Sequence, residues 1–305
     1  MYRLLARSSA NPVPEARGSA TQLSRGLALS VDDAGACVLD ANRTAKFLRG
    51  IRAALSELYV RFPGERIEIV YAGTGPYAAL IVPLLVQRRP HNLLVTLIDV
   101  HPQTIRSVAR VIAHFGLERY VRELVVGDAT DYRHKTGVPL HLIITETMQR
   151  ALTAEPQVAI SQQLTAQLQK HGILIPESIV VDLAFIPRSS AARPSDHFDE
   201  GNFRRVGCVV EVSLPTLRAG LTSRVLEIPA AVPADSIAAY ATSIRTYGPH
   251  VIASGESGLT VPFFVWGLAR PEQGQRIRFS YDADGSSPQI QFERLSAAEP
   301  AKESS

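Results

Sequence analysis

At 305 residues the chain is long enough for one large domain or two ordinary ones, and it can bury a substantial core. Its apolar share of 46% is that of globular proteins, and a formal charge of +3 gives no reason to invoke nucleic acid or an anionic membrane as a partner. Two cysteines, Cys37 and Cys208, are too few for a disulfide framework or a zinc cluster and read as buried thiols in a reducing compartment. The start has no long apolar core and no run reaches membrane-spanning length, so a cytoplasmic location is expected.

In chain order, residues 1 to about 30 are rich in Ser, Ala, Arg and Pro and read as a mobile segment or a lid. Apolar residues at helical spacing predict a helix over 38–59. Strands and helices then alternate: strand 67–71, helix 77–87, strand 94–98, helix 102–115, strands 121–126 and 140–144, helix 157–169 and strand 173–186. Such alternation implies an α/β fold with a parallel, doubly wound sheet. Past Pro187 the segment Arg188 to Asn202 reads as a linker, followed by runs of β character at 206–212, 224–228, 259–266 and 276–281. The expected division is an N-terminal segment 1–37, an α/β domain 38–187, a β-rich sandwich or barrel 188–296 and a disordered tail 297–305.

The stretch Ile67 to Ala72 ends at Gly73-Thr74-Gly75, a strand running into a tight turn of the kind that lets a backbone approach a nucleotide-like ligand. Asp99 ends the next strand, where a carboxylate can accept both hydroxyl hydrogens of a ribose. Gly127-Asp128-Ala129 follows the third strand, and an acidic residue beside a small one suits the edge of an adenine. This succession favours S-adenosylmethionine over NAD, because the former has no pyrophosphate to cradle. The fourth strand delivers Glu146 to the crevice, and an acid there is costly unless paired. Glu155, taken alone, reads first as a helix-start acid beside Pro156; if the intervening residues form a hairpin loop, both carboxylates face one pocket and call for a cationic partner, best a guanidinium.

The chain resembles the protein arginine methyltransferase family. Glu146 and Glu155 match the spacing of its double-glutamate loop, and Thr145-Glu146-Thr147-Met148 resembles its Ser-Glu-Trp-Met segment at Glu and Met. Leu39 to Thr44 resembles the family's Leu-Lys-Asp-x-x-Arg-Thr, and Gly172 to Glu177 its Gly-Ile-Leu-Phe-Pro-Asp run into the barrel. The resemblance covers about residues 38 to 285 and implies a Rossmann-like class I methyltransferase sheet followed by a barrel-like domain, assembled as a head-to-tail homodimer. It also implies that Arg43 holds the methionine carboxylate of S-adenosylmethionine, with Gly73 and Gly75 at its backbone, Asp99 at the ribose and Asp128 with Ala129 at the adenine. Glu146 and Glu155 would grip the guanidinium and Met148 would crowd the reacting nitrogen. From the residues alone, Arg43 also reads as a solvated helix residue.

Two departures bear on the substrate. The family's tyrosines ahead of its Asp-x-x-Arg segment are replaced by Ala28 to Asp33, and its Thr-His-Trp loop has only Glu256 to Pro262 as a counterpart, without a histidine. Family members use these elements around peptides, which favours a small guanidinium substrate, free L-arginine in the simplest case, as in enzymes of bacterial natural-product pathways. Its carboxylate would need a cation, with Arg193, Arg204, Arg205 and Arg245 as candidates. An arginine-containing protein is the nearest alternative substrate. Other readings are different S-adenosylmethionine chemistry on a small molecule, a catalytically silent binding subunit and a nicotinamide-dependent oxidoreductase.

Overall fold

The computed structural model describes residues 19–88, 92–188, 203–230, 232, 235–268 and 272–296. The expected linker beyond residue 188, the tail from 297 and candidate Arg193 lie outside them, as do residues 1–18. The chain opens with a hairpin, β1 (Thr21–Leu23) and β2 (Gly26–Ala28), a short helix α1 (Val31–Ala36) and the long helix α2 (Ala41–Arg61). Asp40 caps α2 by accepting from the Arg43 amide at 2.9 Å.

Five parallel strands follow: β3 (Ile67–Ala72), β4 (Leu93–Asp99), β5 (Val121–Val126), β6 (Leu140–Thr145) and β7 (Leu168–Ile175), in the spatial order β5-β4-β3-β6-β7. Helices α3 (Val82–Arg88), α4 (Pro102–Phe115) and α5 (Gln157–Thr165) connect them. β3 and β6 are buried along their whole length, which is why they read as continuous apolar runs rather than alternating ones. The polar exceptions are satisfied: Glu68 is clamped by both arms of Arg122 from β5, and His141 accepts from the Glu68 amide at 3.1 Å. The helix expected over 77–87 is shorter, because Ala78 adopts a left-handed φ of 43° and Pro83 is accommodated only in a first turn.

The run expected as one strand over 173–186 is two strands in two sheets. β7 closes the parallel sheet, and after Pro176-Glu177 strand β8 (Ser178–Pro187) enters an antiparallel one. With β9 (Arg204–Ser213), β11 (Ser236–Tyr247), β12 (His250–Ile252) and β13 (Phe263–Phe264) it forms the order β12-β11-β8-β9, with β13 on β11. Helix α6 (Leu214–Ala219) leads to β10 (Arg224–Glu227), which forms a second sheet with β14 (Arg276–Asp282) and β15 (Gln289–Arg294). The two sheets meet through Tyr240 on Phe279, ring centroids 6.4 Å apart, and through Leu226 seated on Gly207. Of the expected strand 259–266 only Phe263–Phe264 pairs, because Ser257 to Val261 turn back on themselves. Helix α2 also touches the second half, where Thr246 donates to the Lys46 carbonyl at 3.0 Å. Among the described residues no helix is long and apolar enough to cross a membrane.

Candidate functional site

Strand order reverses at β3, which has β4 on one side and β6 on the other. In an open α/β sheet the carboxyl ends at such a point bound a crevice. Gly73 leaves β3 at φ 72°, and a β-carbon there would sit 2.2 Å from Thr147 Cγ2, so a side chain is excluded by conformation and by space. Gly75 donates its amide to Asp99 Oδ2 at 3.2 Å, and the His101 amide reaches Oδ1 at 3.0 Å. Burial raises the pKa of Asp99, and the His101 amide pulls it back. The Thr104 side chain adds a further pull downward on it, and the carboxylate faces the cavity with acceptor capacity left for a ligand. Asp128 uses Oδ1 to accept from Thr130 N at 2.8 Å and also has a carboxylate oxygen to spare. Gly73→Ala is expected to destabilise the protein by about 2 kcal/mol or more, in keeping with overpacking at a strained position, read as a lower midpoint in urea. A midpoint equal to wild type would show that the turn can relax around Thr147.

Beside this turn lie the two acids, one of them paired with a cation. Arg43, in the first turn of α2, points inward, and its Nη1 lies 3.0 Å from Glu146 Oε2, with both side chains about nine-tenths buried. Burial works against the Arg43 charge, but Glu146, Cys37 and Asp40 more than offset it and hold the guanidinium above its ordinary pKa. Burial raises Glu146, against the pull of Arg43. Glu155 is pushed up to about 8, by burial first and then by the Glu146 charge, with the Gln149 side chain and Arg43 acting the other way. Arg43 thus opposes the effect of burial at both acids, and Glu155, pushed up to about 8, holds its proton at neutral pH.

The loop between the acids is firmly held. The Thr147 amide and hydroxyl both donate to Gln157 Oε1, at 2.9 and 3.2 Å, and Gln157 is 1% exposed. Ala151, Leu152 and Ala154 all take left-handed φ, at 55°, 57° and 64°. Tyr281 Oη donates to the Leu152 carbonyl, Leu27 N to the Ala154 carbonyl and Ala154 N to the Pro288 carbonyl, each within 2.8 Å. Such contacts are what a strained loop needs to persist. From the second half, Ser257 Oγ and Gly258 N reach Asp40 Oδ2 at 2.6 and 3.0 Å, so the segment Glu256 to Pro262 is fastened to the start of α2.

All the candidates line one cavity of about 280 Å³: Arg43, Gly73, Gly75, Asp99, Asp128, Ala129, Glu146, Met148 and Glu155. Leu23, Leu27, Ala28 and Leu29 of the hairpin segment and Leu259 of the second half add apolar walls. Several contributors were not foreseen from sequence. His101, two residues past Asp99, ties the hairpin segment down through the Leu29 carbonyl at 2.9 Å, and Cys37 and Gln149 line the wall. Gln157 sits behind the wall, and only its position in the first turn after Glu155 hinted at a loop-facing role. The proposed carboxylate cations Arg204, Arg205 and Arg245 do not line the cavity.

No protein-family model matches the sequence, and no curated protein matches it. Solved structures do. A chain of the Trypanosoma brucei PRMT1 enzyme–prozyme heterotetrameric complex with AdoHcy aligns over 87% of this chain and 94% of its own, with TM-score 0.58 and 12% identity. Arabidopsis thaliana protein arginine methyltransferase 10, seen in a uniquely open conformation, aligns over 88% and 94%, with TM-score 0.57 and 11% identity. The fold is that of the protein arginine methyltransferases. It spans the parallel sheet and the antiparallel half together, in line with the α/β-plus-barrel expectation.

Proposed function

We propose that this protein binds S-adenosylmethionine and transfers its methyl group to a nitrogen of a guanidinium compound. The observation that carries the reading is the pair of buried acids on one cavity, Glu146 already ion-paired with the Arg43 guanidinium and Glu155 beside it. Glu146 already holds a guanidinium, and the protonated Glu155 beside it is an acid waiting for a second cation.

The residues suit the cofactor. Arg43 Nε is buried and has no hydrogen-bond partner among the described residues, as a group awaiting a carboxylate would be. Asp99 and Asp128 keep free acceptor positions for ribose and adenine, and the turn at Gly73 and Gly75 leaves backbone exposed to the cavity. The known folds' likeness adds support, since the trypanosomal complex holds AdoHcy. When bound, the cofactor supplies a methyl group already activated on sulfur, so that a nitrogen–carbon bond forms as the sulfur–carbon bond breaks. What the chain contributes is orientation and charge. Glu146 and Glu155 hold the guanidinium and localise electron density on the attacking nitrogen, and an ionised Glu155 can accept the proton that nitrogen sheds. Met148, buried at the wall, limits the space around it. The leucines of the hairpin segment exclude water.

Mass spectrometry of reactions with S-adenosylmethionine and either L-arginine or an arginine-rich peptide pool tests this directly. A gain of one or more methyl masses on a guanidinium is expected. Cofactor binding without any methylated guanidinium would overturn the assignment in favour of other chemistry or a silent subunit, and binding of a nicotinamide cofactor alone would overturn both parts.

A further inference from the structure

Resting on the guanidinium reading, the question left is what the rest of the substrate looks like, and a residue next to the cavity wall answers it. The interior is acidic: Asp99, Asp128, Glu146 and Glu155 line it against the single guanidinium of Arg43. A substrate that carries a carboxylate must therefore enter guanidinium first and leave its carboxylate at the mouth. The arginines proposed from sequence for that carboxylate are elsewhere. Arg205 is engaged by Asp182 and Ser254, and Arg245 donates to the Gly248 carbonyl at 2.6 Å.

Arg150 is placed differently. It follows Gln149, which lines the cavity, and it lies within the loop joining Glu146 to Glu155. Its side chain is exposed, and among the described residues its guanidinium meets only the ring of Phe263, 6.0 Å from the centroid. Phe263 lies four residues beyond Leu259, which lines the cavity from the other half of the molecule. Arg150 and Phe263 do not themselves line the cavity, but each belongs to a segment that does, and their contact sets this cation one residue from the cavity wall at Gln149. The backbone there is fixed, since Thr153 returns both its amide and its hydroxyl to the Arg150 carbonyl at 3.2 and 2.9 Å. Resting on an aromatic face, the guanidinium keeps its donor edge free for a planar, bidentate acceptor.

We infer that Arg150 binds the carboxylate of a free guanidino acid, L-arginine being the simplest, and that acid inside with a cation next to the cavity wall orients this zwitterion for methyl transfer. An arginine within a polypeptide has no such carboxylate, and a cation-rich peptide would be repelled by Arg150. The test compares L-arginine with agmatine, the same side chain without the carboxylate, using the full chain with S-adenosylmethionine. KM for agmatine is expected to exceed that for L-arginine on the order of tenfold to a hundredfold, the size of a charge-assisted pair. In Arg150→Gln that ratio should collapse toward one, and Arg150→Lys should restore part of it. Equal KM values for the two compounds in the wild type, or a ratio that survives Arg150→Gln, would overturn the assignment. Methylated peptide with free L-arginine untouched would overturn it while leaving the guanidinium reading standing, whereas no methylation of any of the three would remove the reading on which it rests.

Discussion

Glu146→Gln is expected to lower the melting temperature of the unliganded protein, to enlarge the stabilisation that S-adenosylmethionine confers, and to cut turnover on the order of 10²–10³-fold. The first effect follows from the pair at 3.0 Å, because removing one charge leaves the Arg43 guanidinium buried without its counter-ion. Breaking a buried pair costs about 3 kcal/mol or more, so a fall on the order of 5 °C is expected for a chain of this size. The second effect has the opposite sign because the ligand's carboxylate would then neutralise an unpaired charge. Sequence reasoning alone assigns Glu146 to the substrate only and expects cofactor affinity to be nearly unchanged. The structure alters that expectation, since α2 aims Arg43 at Glu146 and couples the two sites. Melting curves with and without the cofactor decide the matter; curves like wild type in both conditions would mean that the pair holds no charge worth neutralising.

The parallel half of the fold was legible because buried strands such as Ile67 to Ala72 and Leu140 to Thr145 cannot alternate and so announce themselves as apolar runs. Once they are ordered, the crevice rule places Gly73, Asp99, Asp128 and Glu146 at their carboxyl ends with no further information. The antiparallel half was less legible for a physical reason. Its longest strand, Ser236 to Tyr247, is built largely of Ala, Ser and Thr, and Ala and Ser have little intrinsic preference for strands. What makes it a strand is burial between β8 on one side and β12 and β13 on the other, a condition that no local window contains. The boundary inside 173–186 was hidden because both strands are apolar and only Pro176-Glu177 interrupts them.

At the site the same distinction holds. Residue types and strand ends were readable, and contacts between distant segments were not. That Ser257 fastens to Asp40, that Gln157 holds Thr147, and that Arg150 meets Phe263 from the other half of the molecule are all consequences of tertiary placement.

The second large effect concerns pH. Glu155 titrates at about 8 in the unliganded fold, against an ordinary glutamate value near 4.3 in the unfolded chain. An acid raised on folding binds a proton that the unfolded chain has already released. Its contribution is therefore fully present below the unfolded value, is lost as pH rises through about 8, and has an upper bound of about 5 kcal/mol. Glu155→Gln carries no such loss, so the variant is expected to melt near wild type at acid pH and above it at pH about 9. The catalytic consequence runs the other way. A guanidinium needs the ionised acid, so substrate binding expels the proton, and KM should fall about tenfold per pH unit up to roughly 8 and then level off. In Glu155→Gln the profile should be flat and turnover low. Initial rates and thermal melts from pH 6 to 9.5 on both proteins give the two readouts independently. A wild-type KM that does not change with pH would remove Glu155 from the guanidinium site, whereas parallel melting curves would show that its carboxyl is already ionised in the resting fold. The position that makes Glu155 a poor carboxylate in the empty protein is what makes it a good partner for an arriving cation.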